Sequence, residues 1–338
     1  MRTPLPARAL SSRARAAAWL LARPGLLAGS GLLATAWVLA APGLLQAAPS
    51  AADSFRVTEV APGDFVHIGR QLALDAPGHD DIANIGFIVG QKCVAVVDTG
   101  GSTRIGRALL AQIRQHTKKP ICYVINTHVH VDHVLGNAAF VNGSARFVGH
   151  ESLSAALERS RSLFLESYSG DLDPPASAAQ IVGPQIKVAE GSSLEVDLGR
   201  RRLRLQAWPR AHTDCDLTVY DEVTNTLWAA DLLFIRRTPA IDGSVKGWLT
   251  VLDELVKLPA TRVIPGHGEV QQNLPEAVAP ERRYFENLIA EVRAGIAGGK
   301  PLQEAISTAD ASNSNDWLLW DATHPHNVAR VYQELEWE

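Results

Sequence analysis

Short runs of apolar, β-branched residues alternate along this chain with longer stretches in which apolar residues recur every three or four positions. The first pattern predicts buried strands and the second predicts amphipathic helices. The predicted strands are residues 55–68, 85–90, 93–97, 121–126, 145–148, 194–198, 203–208, 217–220, 227–230 and 262–264. The predicted helices are residues 105–116, 152–168, 246–258 and 275–297. Because the two kinds of element interleave, we expect an α/β fold in which helices cover sheets.

The most distinctive stretch of the sequence follows the predicted strand at 121–126. Residues 128–133 are H-V-H-V-D-H, which places three imidazoles and one carboxylate in a single short turn. The run 135–141 after it predicts the start of a helix. Open α/β sheets place ligand sites at the carboxyl ends of their strands. The sequence therefore predicts a metal site at this strand end, since histidines and aspartates are common metal ligands.

The spacing within the motif predicts how its side chains are shared between two ions. In extended backbone, residues two apart point the same way, so His128 and His130 can bind one ion together. Asp132 and His133 are adjacent where the chain turns, so they can diverge toward a second ion. Zinc takes about four ligands per ion, and a two-metal site therefore needs more ligands than the motif provides.

Three further candidate ligands lie at the ends of predicted strands. His212 and Asp231 each follow such a run, and His267 stands between two glycines after a third. Because strand ends can meet at one rim of a sheet, all three are candidates to complete the site. Taken alone, His212 is also an ordinary loop residue and Asp231 an ordinary acid at a strand end.

The ordered series H-x-H-x-D-H, H-T in a turn, a strand-terminal Asp and P-G-H-G resembles the metallo-β-lactamase superfamily of metallohydrolases. The resemblance extends from about residue 55 to residue 269, and it implies an αββα sandwich of two mixed sheets flanked by helices. It implies that Asp98 holds the metal loop through hydrogen bonds, although Asp98 before Thr-Gly is also consistent with a simple turn. The implied ligands are His128, His130 and His212 for one ion and Asp132, His133 and His267 for the other, with Asp231 bridging.

These ligands imply hydrolytic chemistry. All their donor atoms are nitrogen or oxygen, which suits two Zn²⁺ ions but also iron or manganese. Two such ions lower the pKa of a shared water from ~15.7 toward ~7, and the metal-bound hydroxide is a nucleophile at neutral pH. Asp132 is the candidate catalytic residue, which orients the nucleophile or passes a proton to the leaving atom. The sequence predicts a dinuclear zinc hydrolase of a small acyl substrate, namely a thioester, lactone or ester.

Single residues in the motif help to choose among relatives. A carboxylate at Asp231 is typical of thioesterase-like, lactonase-like and phosphodiesterase-like members, whereas true β-lactamases usually carry cysteine or serine there. Flavodiiron-type members place glutamate at the position of Val131. Persulfide dioxygenases do not use the histidine equivalent to His267 as a ligand. An iron-dependent sulfur or persulfide redox protein, or a β-lactamase, is the alternative function.

A finer resemblance comes from residues 231–249 together with N-I-G-F-I-V-G at 84–90. These segments are similar to the quinoprotein relay system zinc metallohydrolases, the SoxH-like group. That group is predicted to be exported and to occur beside quinoprotein alcohol oxidation or sulfur oxidation systems, so a quinoprotein or cytochrome system is the expected context. Locally, Asp242 and Ser244 are also expected to cap the following helix.

The first fifty residues predict an export signal. They begin with arginines and no acids, continue uncharged from residue 24 to residue 52, and end in small residues. We expect cleavage between about 47 and 52 and a periplasmic protein. The apolar run is long enough to span a bilayer, so an uncleaved membrane anchor is the alternative. The expected organisation is a signal at 1–50, a catalytic domain at 53–300 and a helical extension at 301–338 packed on the same domain.

Three cysteines give an odd number for a compartment that favours disulfides. Cys93 and Cys122 lie in apolar strands, where free buried thiols are the default, and a bridge requires that the two strands be neighbours. Cys215 is three residues from His212, so it is either a metal or redox residue or a plain loop thiol.

The net charge of −4 argues against nucleic-acid binding, which needs clustered positive charge. The expected ligand is instead a small-molecule substrate. Arg236, Arg237 and Lys246 follow the Asp231 strand and could steer an anionic substrate. The segment 160–184, rich in Ser, Gly, Pro and Asp, is expected to be either a loop over the metal rim or a solvated connection.

Overall fold

Seven strands form the first sheet, and their spatial order is their order along the chain. Neighbouring strands are antiparallel from β1 to β4 and parallel from β4 to β7. The central strand β4 is Val-Ala-Val-Val and fully buried, as expected for a strand covered on both faces. The strands are β1 (Thr58–Ala61), β2 (Asp64–His67), β3 (Ile85–Val89), β4 (Val94–Val97), β5 (Ile121–Ile125), β6 (Arg146–His150) and β7 (Ile186–Val188).

Five strands form the second sheet, in the order β12-β11-β10-β9-β8. Its strands are antiparallel except for the parallel pair β11 and β12. The strands are β8 (Ser193–Asp197), β9 (Arg202–Ala207), β10 (Leu217–Asp221), β11 (Thr226–Phe234) and β12 (Arg262–His267).

Seven α-helices accompany the sheets in the part of the chain that the structure describes. They are α1 (Thr103–His116), α2 (Val131–Val134), α3 (Leu153–Ser167), α4 (Val245–Leu255), α5 (Leu274–Ala297), α6 (Leu302–Ser307) and α7 (Trp320–Leu335). The four helices expected at 105–116, 152–168, 246–258 and 275–297 correspond to α1, α3, α4 and α5. The run 135–141, expected to start a helix, instead contains a 3₁₀ helix at Leu135–Phe140 that follows the single turn α2.

The core has three layers. Apolar side chains of both sheets, such as Ile88 and Trp228, pack together between them. The outer face of the first sheet packs on α1, and that of the second packs on α4, α5 and α7. Two mixed sheets flanked by helices confirm the predicted αββα sandwich.

The structure is a computed structural model that describes residues 55–338. All of these residues belong to one compact unit. The expected export signal at 1–50 lies outside the described residues and stays a prediction. Among residues 55–338, no helix combines the length and the apolar character needed to cross a membrane.

Two further local predictions differ from the structure. The run 55–68, expected as one strand, forms the hairpin of β1 and β2, because Gly63 turns the chain with φ 77°. A second difference concerns the cysteines: Cys93 and Cys122 are joined in a disulfide, with a Cα–Cα distance of 5.8 Å. The default of free thiols is wrong for this pair, since β4 and β5 are neighbours and bring the two residues together.

Candidate metal centre

The H-V-H-V-D-H stretch follows β5, as the sequence predicted. Its second half forms α2, which begins before the run 135–141 where a helix was expected. His128 and His130 are on the loop, whereas Asp132 and His133 are on α2. The Asp132 and His133 side chains are buried in this first helical turn. The change from extended loop to helix sends the two pairs in different directions, toward two groups of possible metal-binding atoms.

The first group consists of three imidazoles whose inner nitrogens face one another. His130 Nδ1 lies 3.1 Å from His128 Nε2 and 3.0 Å from His212 Nε2. The outer nitrogens are engaged: His212 Nδ1 donates to the Ala240 carbonyl at 2.7 Å, and His130 Nε2 donates to Asp242 Oδ2 at 2.8 Å. In their neutral form, rings held in this way turn a lone pair inward, and a cation bound between them would satisfy all three.

The second group contains His133, His267 and Asp132. His133 Nδ1 donates to Asp98 Oδ2 at 2.8 Å, and His267 Nδ1 donates to the Ile82 carbonyl at 2.9 Å. Both rings therefore turn Nε2 toward Asp132, whose Oδ2 is 3.6 Å from His133 Nε2 and 3.4 Å from His267 Nε2. This is again a set of nitrogen and oxygen acceptors suited to a divalent ion.

Asp231 lies between the two groups. Its Oδ2 is 3.3 Å from His267 Nε2 and 3.5 Å from His212 Nε2, so one oxygen contacts a histidine of each group. Its Oδ1 is 3.0 Å from His133 Nε2, but the contact lacks hydrogen-bond geometry, and both atoms are buried with no partner among the described residues. Two orphaned buried polar atoms at this point fit a bound cation. The bridging role that the resemblance implies for Asp231 stays a prediction, and it requires a placement of this kind.

The charges of the buried groups also favour cation binding. Burial, reinforced by the neighbouring histidines, lowers the pKa of His128 well below its usual range and that of His212 to about 4. Burial alone would raise the pKa of Asp231, but His133 and His267 hold it well below its usual range. Burial opposes protonation of the other two rings, but Asp242 raises the pKa of His130, and Asp231 and Asp132 raise that of His133 well above its usual range. A cation that binds there would replace the protons on these rings.

Asp98 holds the loop that carries the motif. Buried after β4, it accepts hydrogen bonds from the Thr127 N–H at 2.9 Å, from Thr127 Oγ1 at 2.7 Å and from His133 Nδ1. Because the Thr127 hydroxyl gives its proton to Asp98, its oxygen is left to accept from His128 Nδ1 at 3.0 Å. Asp98 thus orients one histidine of each group, which is the positioning role implied by the resemblance.

Two residues of the site were not identified from the sequence. Asp242 was expected to cap the helix after it, but Ser244 is the N-cap of α4, accepting from the Gly247 N–H. Asp242 instead accepts from His130 Nε2 and, through Oδ1 at 3.0 Å, from His326 Nε2 of α7. His326 is separated from Asp242 by 84 residues and belongs to no motif, so no sequence signal indicated it.

A cavity of about 580 Å³ opens in front of the centre. Arg237 and Thr238 provide polar groups in its wall, beside His130, Asp132, Asp231 and His267. Apolar side chains form much of the rest, namely Ala73, Leu74, Val129, Val131, Leu163, Phe164, Phe234 and Leu319. The start of the segment 160–184 does reach this cavity, but as the last turns of α3 and Tyr168 and not as a loop.

Of the cationic residues expected to steer a substrate, only Arg237 lies at the cavity. Arg236 is exposed and lines a second cavity of about 630 Å³ outside the centre. Lys246 forms a surface ion pair with Glu338 at 2.6 Å. Cys215 is fully buried, its thiol belongs to neither group of possible ligand atoms, and burial raises its pKa. A metal or redox role for Cys215 therefore has no support from the geometry.

This fold and this set of donor atoms define a metal-dependent hydrolase of the αββα class. The sequence model of the Metallo-beta-lactamase superfamily matches residues 78–267, more than half of the chain. The chain belongs to the metallo-β-lactamase superfamily.

Two alkylsulfatases are similar to this chain, one in sequence and one in fold. The "Linear primary-alkylsulfatase" of Pseudomonas sp. (strain ATCC 19151) is 30% identical over 135 residues, which cover 37% of this chain and 22% of that protein. The solved stereoselective inverting sec-alkylsulfatase Pisa1 from Pseudomonas sp. has a TM-score of 0.64 and 17% identity, covering 83% of this chain and 50% of that one. The chain thus spans half or less of the length of either alkylsulfatase.

Smaller members of the fold match over nearly their whole length. A metallo-beta-lactamase family protein from Thermus thermophilus has a TM-score of 0.58 and 22% identity, covering 82% of this chain and 93% of that one. These likenesses describe the fold, and the SoxH-like subgroup stays a prediction.

Proposed function

We propose that this protein is a dinuclear zinc hydrolase. Its proposed reaction is cleavage of an ester-type bond in a small substrate that has an apolar body and an anionic end. The observation that carries the proposal is the pair of ligand groups joined by Asp231 at the wall of an apolar cavity. Acyl esters, thioesters and lactones are the first substrate class.

Seven side chains would hold the two ions. His128, His130 and His212 suit one, and Asp132, His133 and His267 suit the other, with Asp231 shared. When bound, two such ions supply an activated water and polarise the bond to be cleaved.

Asp132 is the proposed catalytic residue. Its carboxylate belongs to the second group and also lines the cavity, so it reaches both the ligand atoms and a bound substrate. From that place it can orient the attacking water or carry a proton to the leaving atom.

Arg237 is the proposed anchor for the anionic end of the substrate. It is 9% exposed, and among the described residues its guanidinium donates only to the Leu72 carbonyl, at 2.9 Å. Burial lowers the pKa of Arg237 and Asp132 and Asp231 oppose that shift, so the guanidinium remains charged at neutral pH. A buried, unpaired cation beside an apolar wall favours a substrate that carries a carboxylate, sulfate or phosphate group.

The buried guanidinium of Arg237 beside an apolar wall also supports a second candidate function, the hydrolysis of alkyl sulfate esters. A sulfate group would pair with Arg237 and an alkyl chain would lie along Leu163, Phe164 and Leu319. The named activity of the Pseudomonas alkylsulfatases adds to this candidate.

Elemental analysis and a substrate panel test the proposal together. We expect about two zinc ions per chain, and turnover of p-nitrophenyl esters, acyl thioesters, lactones or sodium dodecyl sulfate. His128→Ala or Asp132→Ala should abolish turnover while circular dichroism shows a folded protein. Retained turnover in either variant would contradict the proposal, and one iron per chain with oxygen consumption on a persulfide would favour the redox alternative.

A matched pair of arginine variants tests the anionic anchor. Arg237→Ala should raise KM for anionic substrates by about tenfold or more, the effect of losing a charge-assisted hydrogen bond, and leave KM for neutral esters nearly unchanged. Arg236→Ala, at the exposed neighbour outside the cavity, is the control and should change neither. Equal effects on anionic and neutral substrates would show that Arg237 does not bind the anion.

We also propose that the protein is exported to the periplasm by its N-terminal segment and works beside a quinoprotein or cytochrome system. The arginine-led, uncharged start of the sequence supports export. Mass spectrometry of the protein from the periplasmic fraction tests it: a mature N-terminus between about 47 and 52 is expected, and an intact N-terminus in the membrane fraction would indicate an anchor.

A further inference from the structure

The C-terminal helix α7 makes direct hydrogen bonds to the segment 238–245, which comprises the last part of the connection from β11 and the first residue of α4. The strongest link is Asn327, which is fully buried. Its Oδ1 accepts from the Ile241 N–H at 3.0 Å, and its Nδ2 donates to the Pro239 carbonyl at 2.6 Å. One side chain thus forms hydrogen bonds with the backbone on both sides of Ala240.

Three further residues of α7 hold the second half of the same segment. His326 Nε2 donates to Asp242 Oδ1 at 3.0 Å, and Arg330 donates to the Asp242 carbonyl at 2.7 Å. The Glu334 carboxylate accepts from Ser244 Oγ at 2.6 Å. The segment is therefore held by side chains from four positions spread over three turns of one helix.

This segment in turn orients two of the candidate metal ligands. Ala240 supplies the carbonyl that accepts from His212 Nδ1, and Asp242 supplies the carboxylate that accepts from His130 Nε2. These hydrogen bonds decide which nitrogen of each ring faces the centre. The corresponding partners in the second group are Asp98 and the Ile82 carbonyl, and the described hydrogen bonds of α7 include neither.

We propose that α7 is a positioning element of the metal centre, and that Asn327 and His326 set the metal affinity of the His128, His130 and His212 group from outside it. The proposal rests on the proposed function, since it requires both groups to bind ions. Without the hydrogen bonds of Asn327, the Ala240 carbonyl and the Asp242 carboxylate lose their fixed positions. Both rings can then adopt the tautomer that turns an N–H toward the ion. Loss of such orienting partners lowers metal affinity by roughly 10- to 100-fold.

Chelator competition on the full-length protein tests the proposal, with separate dissociation constants measured for two equivalents of Zn²⁺. Two reference variants, His130→Ala and His133→Ala, identify which equivalent each group binds. The test variants are Asn327→Ala and His326→Ala. His326 is 48% exposed, so its replacement should leave the fold intact even if the buried Asn327 proves necessary for stability. The control is Tyr332→Phe, which removes a hydrogen bond of α7 to the Lys300 carbonyl, away from the segment.

We expect Asn327→Ala to weaken zinc binding at the His130 group by roughly tenfold or more, and His326→Ala to weaken it less. Zinc affinity at the His133 group should stay within about twofold of wild type in both variants. Tyr332→Phe should leave both affinities within about twofold. Unchanged affinity of the His130 group in both variants would overturn the proposal, as would equal weakening of both equivalents, which signals general destabilisation. Wild-type protein that binds no zinc would overturn the proposed function and this inference together, whereas normal binding with unaffected variants would remove the inference alone.

Discussion

Asp98→Asn is the substitution that most directly tests how the histidines of the metal centre are held. The wild-type carboxylate faces three donors: Oδ1 accepts from the Thr127 N–H, and Oδ2 accepts from Thr127 Oγ1 and His133 Nδ1. An amide of the same shape has one acceptor oxygen and one NH₂ group. Whichever way it is oriented, the NH₂ group faces an N–H donor of Thr127 or of His133.

Both orientations are costly. If the NH₂ group faces His133, the ring changes tautomer, and its Nε2 then carries a proton in place of the lone pair that a metal needs. If it faces the Thr127 N–H, the loop that carries His128 loses a charge-assisted bond. One such bond is worth about 1.5–3 kcal/mol. We therefore expect metal affinity to fall roughly 10- to 100-fold, together with a loss of unfolding free energy of about 2 kcal/mol.

The assay is zinc affinity by chelator competition, combined with urea unfolding of the metal-free protein. The matched control is Asp64→Asn, at an equally buried aspartate of the first sheet that accepts from Arg201 and Thr224, each at 2.8 Å, and contacts none of the seven candidate ligands. It should lower stability but leave zinc affinity within about twofold. Wild-type affinity in Asp98→Asn, or an equal fall in both variants, would refute the positioning role of Asp98.

Two further predictions concern stability. Burial raises the pKa of the Glu281 carboxyl well above its usual range, although the Phe234 N–H donates to it at 3.0 Å. Above the unfolded pKa of about 4.5, Glu281 is ionised in the unfolded chain but still protonated in the folded protein. The free energy of unfolding should therefore fall as the pH rises from there toward the folded pKa. Glu281→Gln should flatten that fall above about pH 5 in urea unfolding, and an unchanged slope would contradict the pKa shift. Reduction of the Cys93–Cys122 disulfide, which spans 29 residues, should cost about 2–4 kcal/mol. Urea midpoints that are equal with and without dithiothreitol would contradict a disulfide in the native protein.

The candidate ligands could be predicted from the sequence because their arrangement is mostly local or tied to strand ends. Residues 128–133 are contiguous, so a strand followed by a helical turn is enough to divide them between two groups. Asp231 and His267 meet because β11 and β12 are parallel neighbours, with Phe234 paired to His267. A hydrophobic strand ending in a polar residue is visible in sequence, and only the pairing of those strands had to come from the resemblance.

The contacts that orient the ligands could not be predicted in the same way. His130 and Asp242 are 112 residues apart, and a hydrogen bond over that distance leaves no periodicity in either segment. Asp242 lies just before a helix and has the local pattern of an N-cap residue. That pattern gave no indication that its partner is His130. The cysteine pair shows the same limit, because burial was predictable but the neighbouring position of β4 and β5 was not.

The orienting partners also show how the centre depends on the whole domain. Asp98, after β4 of the first sheet, holds His133, whereas α7, packed behind the second sheet, holds the segment that orients His130 and His212. Asp231 of the second sheet joins the two groups. Ions bound at this junction require both sheets to be docked, so their binding energy adds to the stability of the docked state. Separating the two sheets should therefore release the bound ions.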